Sequence, residues 1–351
     1  MSDDLFAAVV AHTAVRGQTD DAAVVAAILR VESALAEAQG QVGDLDDAAV
    51  AAVREACAAA SDVDLGVLAR DTALGGNPVI PLVNELNRLA GPHADAVHRG
   101  ATSQDVLDTA LMLMSRDSIG TITADLGRAV TSVGDLATGD HTVMGRTLMQ
   151  SALPLPLSTK VDGWRRGLAD ASSRLGDVAA ALPVQLGGPV GDGSTFGEHH
   201  ENVRAGLADG LGLADAPSWH TMRLPIADLA SGLATASGVV GKVALDVVLM
   251  AQTEVAEVRE VSSDRGGSSS MPHKSNPIAA ISARASARRA PHLAAHLFAQ
   301  MEQEHERAAG AWHAEWSVLV DLLRATGSAA WWLAESLASL EVDADAMEQR
   351  Q

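Results

Sequence analysis

Between Gly266 and Pro277 the chain reads Gly-Gly-Ser-Ser-Ser-Met-Pro-His-Lys-Ser-Asn-Pro. A plain Gly/Ser linker is polar and featureless. Here the glycines and serines lead into Met271-Pro272, which can anchor a loop, and then into two polar residues with reach, Lys274 and Asn276. Lys274 supplies a cation able to hold a carboxylate, and a linker would not need this second half. Other chemistry-bearing clusters are few. His199 and His200 are adjacent, but neighbours on a helix do not face one ligand, and Cys57 is the only cysteine. We therefore expect no metal site and no disulfide, and a reducing compartment.

Such residues need a scaffold, and the composition points to helices. The 351 residues include no Tyr and three Phe, while Ala, Leu and Val fill long proline-free stretches; alanine is the best helix former, and strands favour aromatic and β-branched residues. The expected fold class is all-α. From Leu229 the positions Leu233, Ala236, Val240, Val243, Val247 and Met250 advance by alternating fours and threes, the seam of a long bundled helix, which turns polar at Glu254 and Glu257. A second helix is expected after Ser103, read as its N-cap with Asp105 in the first turn, running through Leu107, Leu111, Met114, Ile122 and Leu126. Loops are expected at Gly75–Pro81, Ser151–Leu157, Leu182–Gly197 and Asp264–Pro277, where Gly and Pro gather. This organises the chain as an N-terminal helical domain over residues 1–97, a long-helix bundle over 98–340 and a short tail over 341–351.

Charge and hydropathy narrow the partners. Lys and Arg total 25 against 45 for Asp and Glu, a formal net charge of −20, and no basic block offsets it. No nucleic acid and no membrane surface is expected as partner. Val239 to Met250 is the most apolar stretch, but Lys242 and Asp246 interrupt it and it is too short to span a bilayer. The acidic start lacks the pattern of a signal peptide, which gives the expectation of a cytoplasmic protein.

Gly267 to Pro277 resembles the signature of the fumarase/aspartase superfamily, Gly-Ser-Ser-x-Met-Pro-x-Lys-x-Asn-Pro, at every specified position. Four more segments resemble that superfamily in order: Gly100 to Asp105 reached through His98; Met144 to Thr147 followed by Leu148-Met149-Gln150 and Pro154/Pro156; Gln185 to Gly191; and Trp219 to Arg223. Within it, Gly76 to Val83 and the Gly-Arg-Thr-Leu-Met-Gln segment look most like the bacterial 3-carboxy-cis,cis-muconate cycloisomerases. Members acting as adenylosuccinate or argininosuccinate lyases carry an acid histidine directly after Arg-Thr, where this chain has Leu148; the cycloisomerase subgroup also lacks it.

The resemblance implies an enzyme converting 3-carboxy-cis,cis-muconate to 4-carboxymuconolactone in aromatic catabolism. A carboxylate oxygen adds to a conjugated double bond and a proton reaches the carbon beside another carboxylate; reversed, this is β-elimination of a carboxylate. The enolate-like intermediate asks for proton transfer at carbon and for cations or donors at the oxyanion. By resemblance Ser268 is the carbon acid/base, and Lys274 acts with it as a catalytic residue. Asn276 holds a carboxylate, Thr102, Ser103 and Gln150 offer neutral donors, and His98, Arg146 and Gln185 stand in substrate-side segments. Ser103 also reads as a helix cap and His98 as a structural loop histidine. The Trp219–Arg223 segment departs from the Arg-Asp-Arg of relatives, since Leu224 and Pro225 follow Arg223. No cofactor is implied. The expected partner is a small tricarboxylate, with the chain in a homotetramer whose sites are shared between subunits. Relatives continue into a C-terminal helical domain of about a hundred residues that is expected to be absent here. Two alternatives stay open: a superfamily lyase of the adenylosuccinate type, releasing fumarate, and a helical oligomer with impaired turnover.

Overall fold

A proline-free sequence lets one helix of this protein run for 34 residues, and the rest of the fold is arranged along it. The computed structural model describes residues 7–10, 14–137, 139, 141–262, 265–267, 270–271 and 274–349. In chain order it contains α1 (Ala7–Val10), α2 (Ala14–Gly17), α3 (Asp21–Gln41), α4 (Asp47–Ala59), α5 (Leu65–Gly75), α6 (Val79–Ala90), α7 (Ser103–Leu136), β1 (Thr142–Thr147), β2 (Gln150–Pro156), α8 (Leu157–Ala180), α9 (His200–Leu211), α10 (Leu224–Met250), β3 (Val258–Glu260), α11 (Ile278–Ala287), α12 (Ala290–Ala299), α13 (Ala311–Ala338), β4 (Leu340–Val342) and α14 (Ala344–Glu348). The fold is all-α apart from two small antiparallel ribbons, β1–β2 and β3–β4.

Helices α7, α8, α10, α11, α12 and α13 form a bundle, with α7 against α8 and α13, and α10 against α8, α11, α12 and α13. The seam expected from Leu229 to Met250 lies on α10 with every named position buried. The α10 span is long and apolar enough to cross a bilayer, more than its Val239–Met250 core suggested; the buried seam makes it a central bundle helix. Asp20 and Asp46 cap α3 and α4 through their side chains, and α3 packs on α4, α7 and α9. The apolar core is continuous from Val15 to Met347, so it runs through the boundary expected near Val97.

Two local expectations shift. Thr102, not Ser103, is the N-cap of α7: Asp105, at the third helical position, accepts from the Thr102 N–H at 3.0 Å, as a capping-box acid does. Ser151–Leu157, expected as a loop, is mostly the strand β2, in which Pro154 pairs with Met144 and Pro156 with Thr142. Proline is tolerated there because a two-stranded ribbon has open edges that need no N–H. At its tip Leu148 (φ 50°) and Met149 (φ 68°) form a two-residue turn with both residues left-handed, a conformation that favours Asn-Gly. Leu148 is 96% and Met149 69% exposed.

Candidate active site

Asp105 organises the start of α7. Its Oδ1 accepts the Gly187 N–H at 2.9 Å and meets His220 Nε2 at 2.7 Å, while Oδ2 accepts the N–H of Gly188 at 2.9 Å and of Thr102 at 3.0 Å. One buried carboxylate thus ties together three of the motif segments. Gly188 is left-handed (φ +69°), and a Cβ there would stand 2.5 Å from Thr195 Oγ1 and 3.1 Å from Gly100 O, so the close approach requires glycine.

One turn further, Asp108 binds both arms of Arg223 at 2.7 and 3.1 Å, and Glu315 on α13 binds Arg223 Nε and Nη2 at 3.1 and 2.6 Å. The guanidinium lies 4.5 Å from the centroid of the Trp219 ring, and Trp312 Nε1 donates to Asp108 at 2.9 Å. Burial opposes the charge on Arg223, but the two carboxylates outweigh it. Arg223 is thereby a strut between α7, α10 and α13. Gln185 is fully buried, its Oε1 accepting the Trp219 N–H at 2.9 Å.

His98, Thr102 and Ser103 are the partly exposed members at this end. His98 has a left-handed backbone (φ 53°) and its Nδ1 lies 2.6 Å from Glu32 Oε1 on α3. Arg307, in the loop between α12 and α13, reaches Gln104 Oε1 at 3.1 Å and Pro189 O at 2.8 Å. It brings a cation to the start of α7 that the sequence reading did not single out: its loop has no periodicity and no motif marks it.

The remaining expected site residues lie toward the other end of the bundle. Glu335, near the end of α13, binds Arg128 on α7 at 2.5 Å and Arg265 at 3.3 Å, which fixes the entry to the signature loop. At about 1.5 Å per residue, Arg128 is some 40 Å along α7 from Thr102. Asn276 closes that loop by donating Nδ2 and N–H to Gly266 O at 3.0 and 2.9 Å. The Glu260 carboxylate then caps α11, accepting from Ala279 and Ala280 at 3.0 and 2.8 Å. Lys274 is exposed; Ser268 lies outside the described residues.

The β1–β2 hairpin begins beyond Leu136, about 50 Å along α7 from Thr102. Arg146 makes a two-pronged pair with the fully buried Glu257 at 2.6 and 3.0 Å, which bolts β1 to the segment before β3. Gln150 is exposed beside the turn. Within one chain, therefore, His98, Thr102, Ser103 and Gln185 are brought together, and Arg146, Gln150, Lys274 and Asn276 are held well away from them.

His199 pairs with Asp44 at 2.7 Å and His200 with Leu186 O at 2.9 Å, and among the described residues no group of three or more His, Cys, Asp or Glu side chains could hold a metal ion.

Residues 6–291 match the profile of a lyase family. The chain is 42% identical to nitrosuccinate lyase of Streptomyces davaonensis, over 98% of this chain and 76% of that one. It is also 42% identical to the 3-carboxy-cis,cis-muconate cycloisomerase of Bradyrhizobium diazoefficiens, over 98% of this chain and 78% of that one. Among solved structures it resembles β-carboxy-cis,cis-muconate cycloisomerase from Acinetobacter calcoaceticus, with a TM-score of 0.91 and 36% identity, covering 99% of this chain and 80% of that one.

Proposed function

The chain belongs to the lyase family, within the fumarase/aspartase superfamily, and from that premise we propose that this lyase-type enzyme is a cycloisomerase converting 3-carboxy-cis,cis-muconate to 4-carboxymuconolactone. The observation that carries the choice of substrate class is Leu148, at the tip of the hairpin where an acid histidine would serve a basic leaving group. Leucine cannot donate a proton, so the group that leaves in the eliminating direction must be a weak base. A carboxylate, with a conjugate acid of pKa about 4, meets that condition and an amine does not. The similarity to cycloisomerases in sequence and structure supports the same reading.

In this reading Ser268 moves the proton at carbon, while Lys274 and Asn276 face a carboxylate that gains charge in the enolate-like intermediate. His98, Thr102 and Ser103, at the positive end of the α7 helix, face another carboxylate. Arg146 and Gln185 act behind them by holding β1 and the Trp219 segment. The cations are local: with a net charge of −20, the far field of the molecule repels a tricarboxylate.

The two groups of residues can serve one substrate only if different chains contribute them, and we propose a homotetramer with shared sites. The hairpin tip supports this. Leu148 and Met149 hold the left-handed conformations that the two-residue turn requires, at about 1–2 kcal/mol each for residues other than glycine, and both apolar side chains are exposed; a second copy packed on the tip would cover them.

Nitrite is also a weakly basic leaving group, so Leu148 and the 42% identity to nitrosuccinate lyase favour a second reading, elimination of nitrite from nitrosuccinate. Offering the purified protein 3-carboxy-cis,cis-muconate, nitrosuccinate and adenylosuccinate separates the possibilities. Loss of the conjugated-diene absorbance is expected with the first and no reaction with the last. Nitrite release without muconate turnover would move the assignment to the second reading, and no turnover of any of the three would leave a scaffold without this chemistry.

A further inference from the structure

Glu32 is a buried acid that the chemistry above leaves without a task. It sits within α3, 1% exposed, with Oε1 2.6 Å from His98 Nδ1, and its Oε2 is buried without a hydrogen-bond partner. A carboxylate in that position is costly unless something compensates it. Two turns along α3, Gln39 Nε2 donates to Arg99 O at 3.0 Å. One helix therefore grips both the ring of His98 and the backbone beside it, where His98 is held in the left-handed region.

We propose that Glu32 is the positioning residue of the site: it fixes a proton on His98 Nδ1, so that Nε2 is the ring atom left to meet a substrate carboxylate beside Thr102 and Ser103, and its carboxylate stands where it favours the charged ring. This rests on reading the start of α7 as half of an anion site. With Nδ1–H committed to Glu32, a neutral ring would turn a lone pair on an incoming carboxylate, whereas the imidazolium offers a donor. The groups that bear on the ring are Glu32 from α3 and Asp105 from α7; Cys57 on α4 faces Glu32, and its thiol, pushed up to about 12 by burial and by the Glu32 charge, is neutral. Burial of the ring opposes its charge, but the charge and hydrogen bond of Glu32, with the charge of Asp105, outweigh it, so His98 titrates above the ordinary histidine range.

The sign follows. Affinity for a polycarboxylate is full below the pKa of His98 and falls as pH rises through it. Removing the Glu32 charge should move that fall to lower pH. The test uses protein labelled with 13C at histidine Cε1, the His98 signal being identified by its loss in His98→Gln, and tricarballylate as the anionic probe in calorimetric titrations across pH. In Glu32→Gln the His98 titration and the loss of tricarballylate affinity should both shift down together, and Glu32→Asp, which keeps the charge at shorter reach, should recover part of the shift. An unchanged His98 titration in Glu32→Gln, or in Glu32→Asp should the first variant fail to fold, would overturn the proposal. A wild-type protein that turns over none of the substrates above would sink the functional reading instead, and the ring titration would still judge Glu32.

Discussion

Around the start of α7, Asp105, Asp108, Gln185, His220, Arg223 and Glu315 are none of them more than 4% exposed, and each is bonded to another element of the fold. Toward the far end of the bundle, Gln150 and Lys274 are exposed, on a hairpin tip and a loop. Buried charge is tolerable only when multiply paired, and once paired it resists displacement. The first region therefore behaves as a frame that holds backbone donors and a helix terminus in place. In the second, Glu257 and Glu335 brace the elements from behind, while the polar ends project into solvent, where their charge and dipoles are solvated at little cost. The division between frame and reagent, some 40 to 50 Å apart along α7, is what the proposed sharing of sites between chains would require.

The largest effect that could break this comparison is on turnover. Ser268→Ala should lower the rate by about 10²–10⁴ if Ser268 is the carbon acid/base, and His98→Gln should weaken it through binding. If the two ends come from different chains, oligomers reassembled from both variants contain some sites with neither lesion, and activity should reappear on mixing. Recovery no greater than the sum of the separate variants would place both ends in one chain's site.

Next in size is the frame itself. Asp108→Asn removes one of the two carboxylates on the buried Arg223 while Glu315 still pairs with it, and the charge-assisted bonds lost cost about 1.5–3 kcal/mol. A denaturant titration should show it as a lower midpoint, with Glu315→Gln in the same direction. Lys274→Met should leave the midpoint within about 0.5 kcal/mol of the parent, as exposed substitutions do. Its cost of about 1.5–3 kcal/mol should fall on kcat/KM, with KM and kcat both affected. A Lys274→Met chain that loses stability and keeps its kinetics would show that Lys274 only pins the loop.

The helical plan was legible because periodicity is local: the steps from Leu229 to Met250 record one buried face of one helix. The signature loop was equally legible, since its residue types lie side by side. What spacing could not reveal are partnerships across the fold. Arg223 meets Asp108 across 115 positions and Glu315 across 92, and Arg307 reaches Gln104 across 203. Pro154 and Pro156 read as breakers because the rule against proline in strands assumes a sheet interior, and a two-stranded ribbon has none. The cap of α7 slipped by one residue because Thr102 and Ser103 are both good caps, and only the reach of Asp105 to the Thr102 amide decides between them.

The smallest effect tests whether the framed end is dry. Cys57 on α4 is 6% exposed, and burial followed by the charge of Glu32 pushes its thiol up to about 12. At pH 8 only about one thiol in 10⁴ is then the reactive thiolate, so iodoacetamide should leave native Cys57 unmodified and label it promptly once the chain is unfolded. The linkage has a definite sign. An acid whose pKa is higher in the folded state gives undiminished stability below its unfolded value, near 9, and loses it as pH rises from there toward 12. Between pH 8 and 10 the parent should therefore lose more stability than Cys57→Ala, by up to about 1.4 kcal/mol, since one pH unit corresponds to that much. Rapid labelling of the native protein at pH 8, or equal pH dependence in parent and variant, would mean that water reaches Glu32 and Cys57, and the contrast between a sealed frame and an open reagent end would not hold on the N-terminal side.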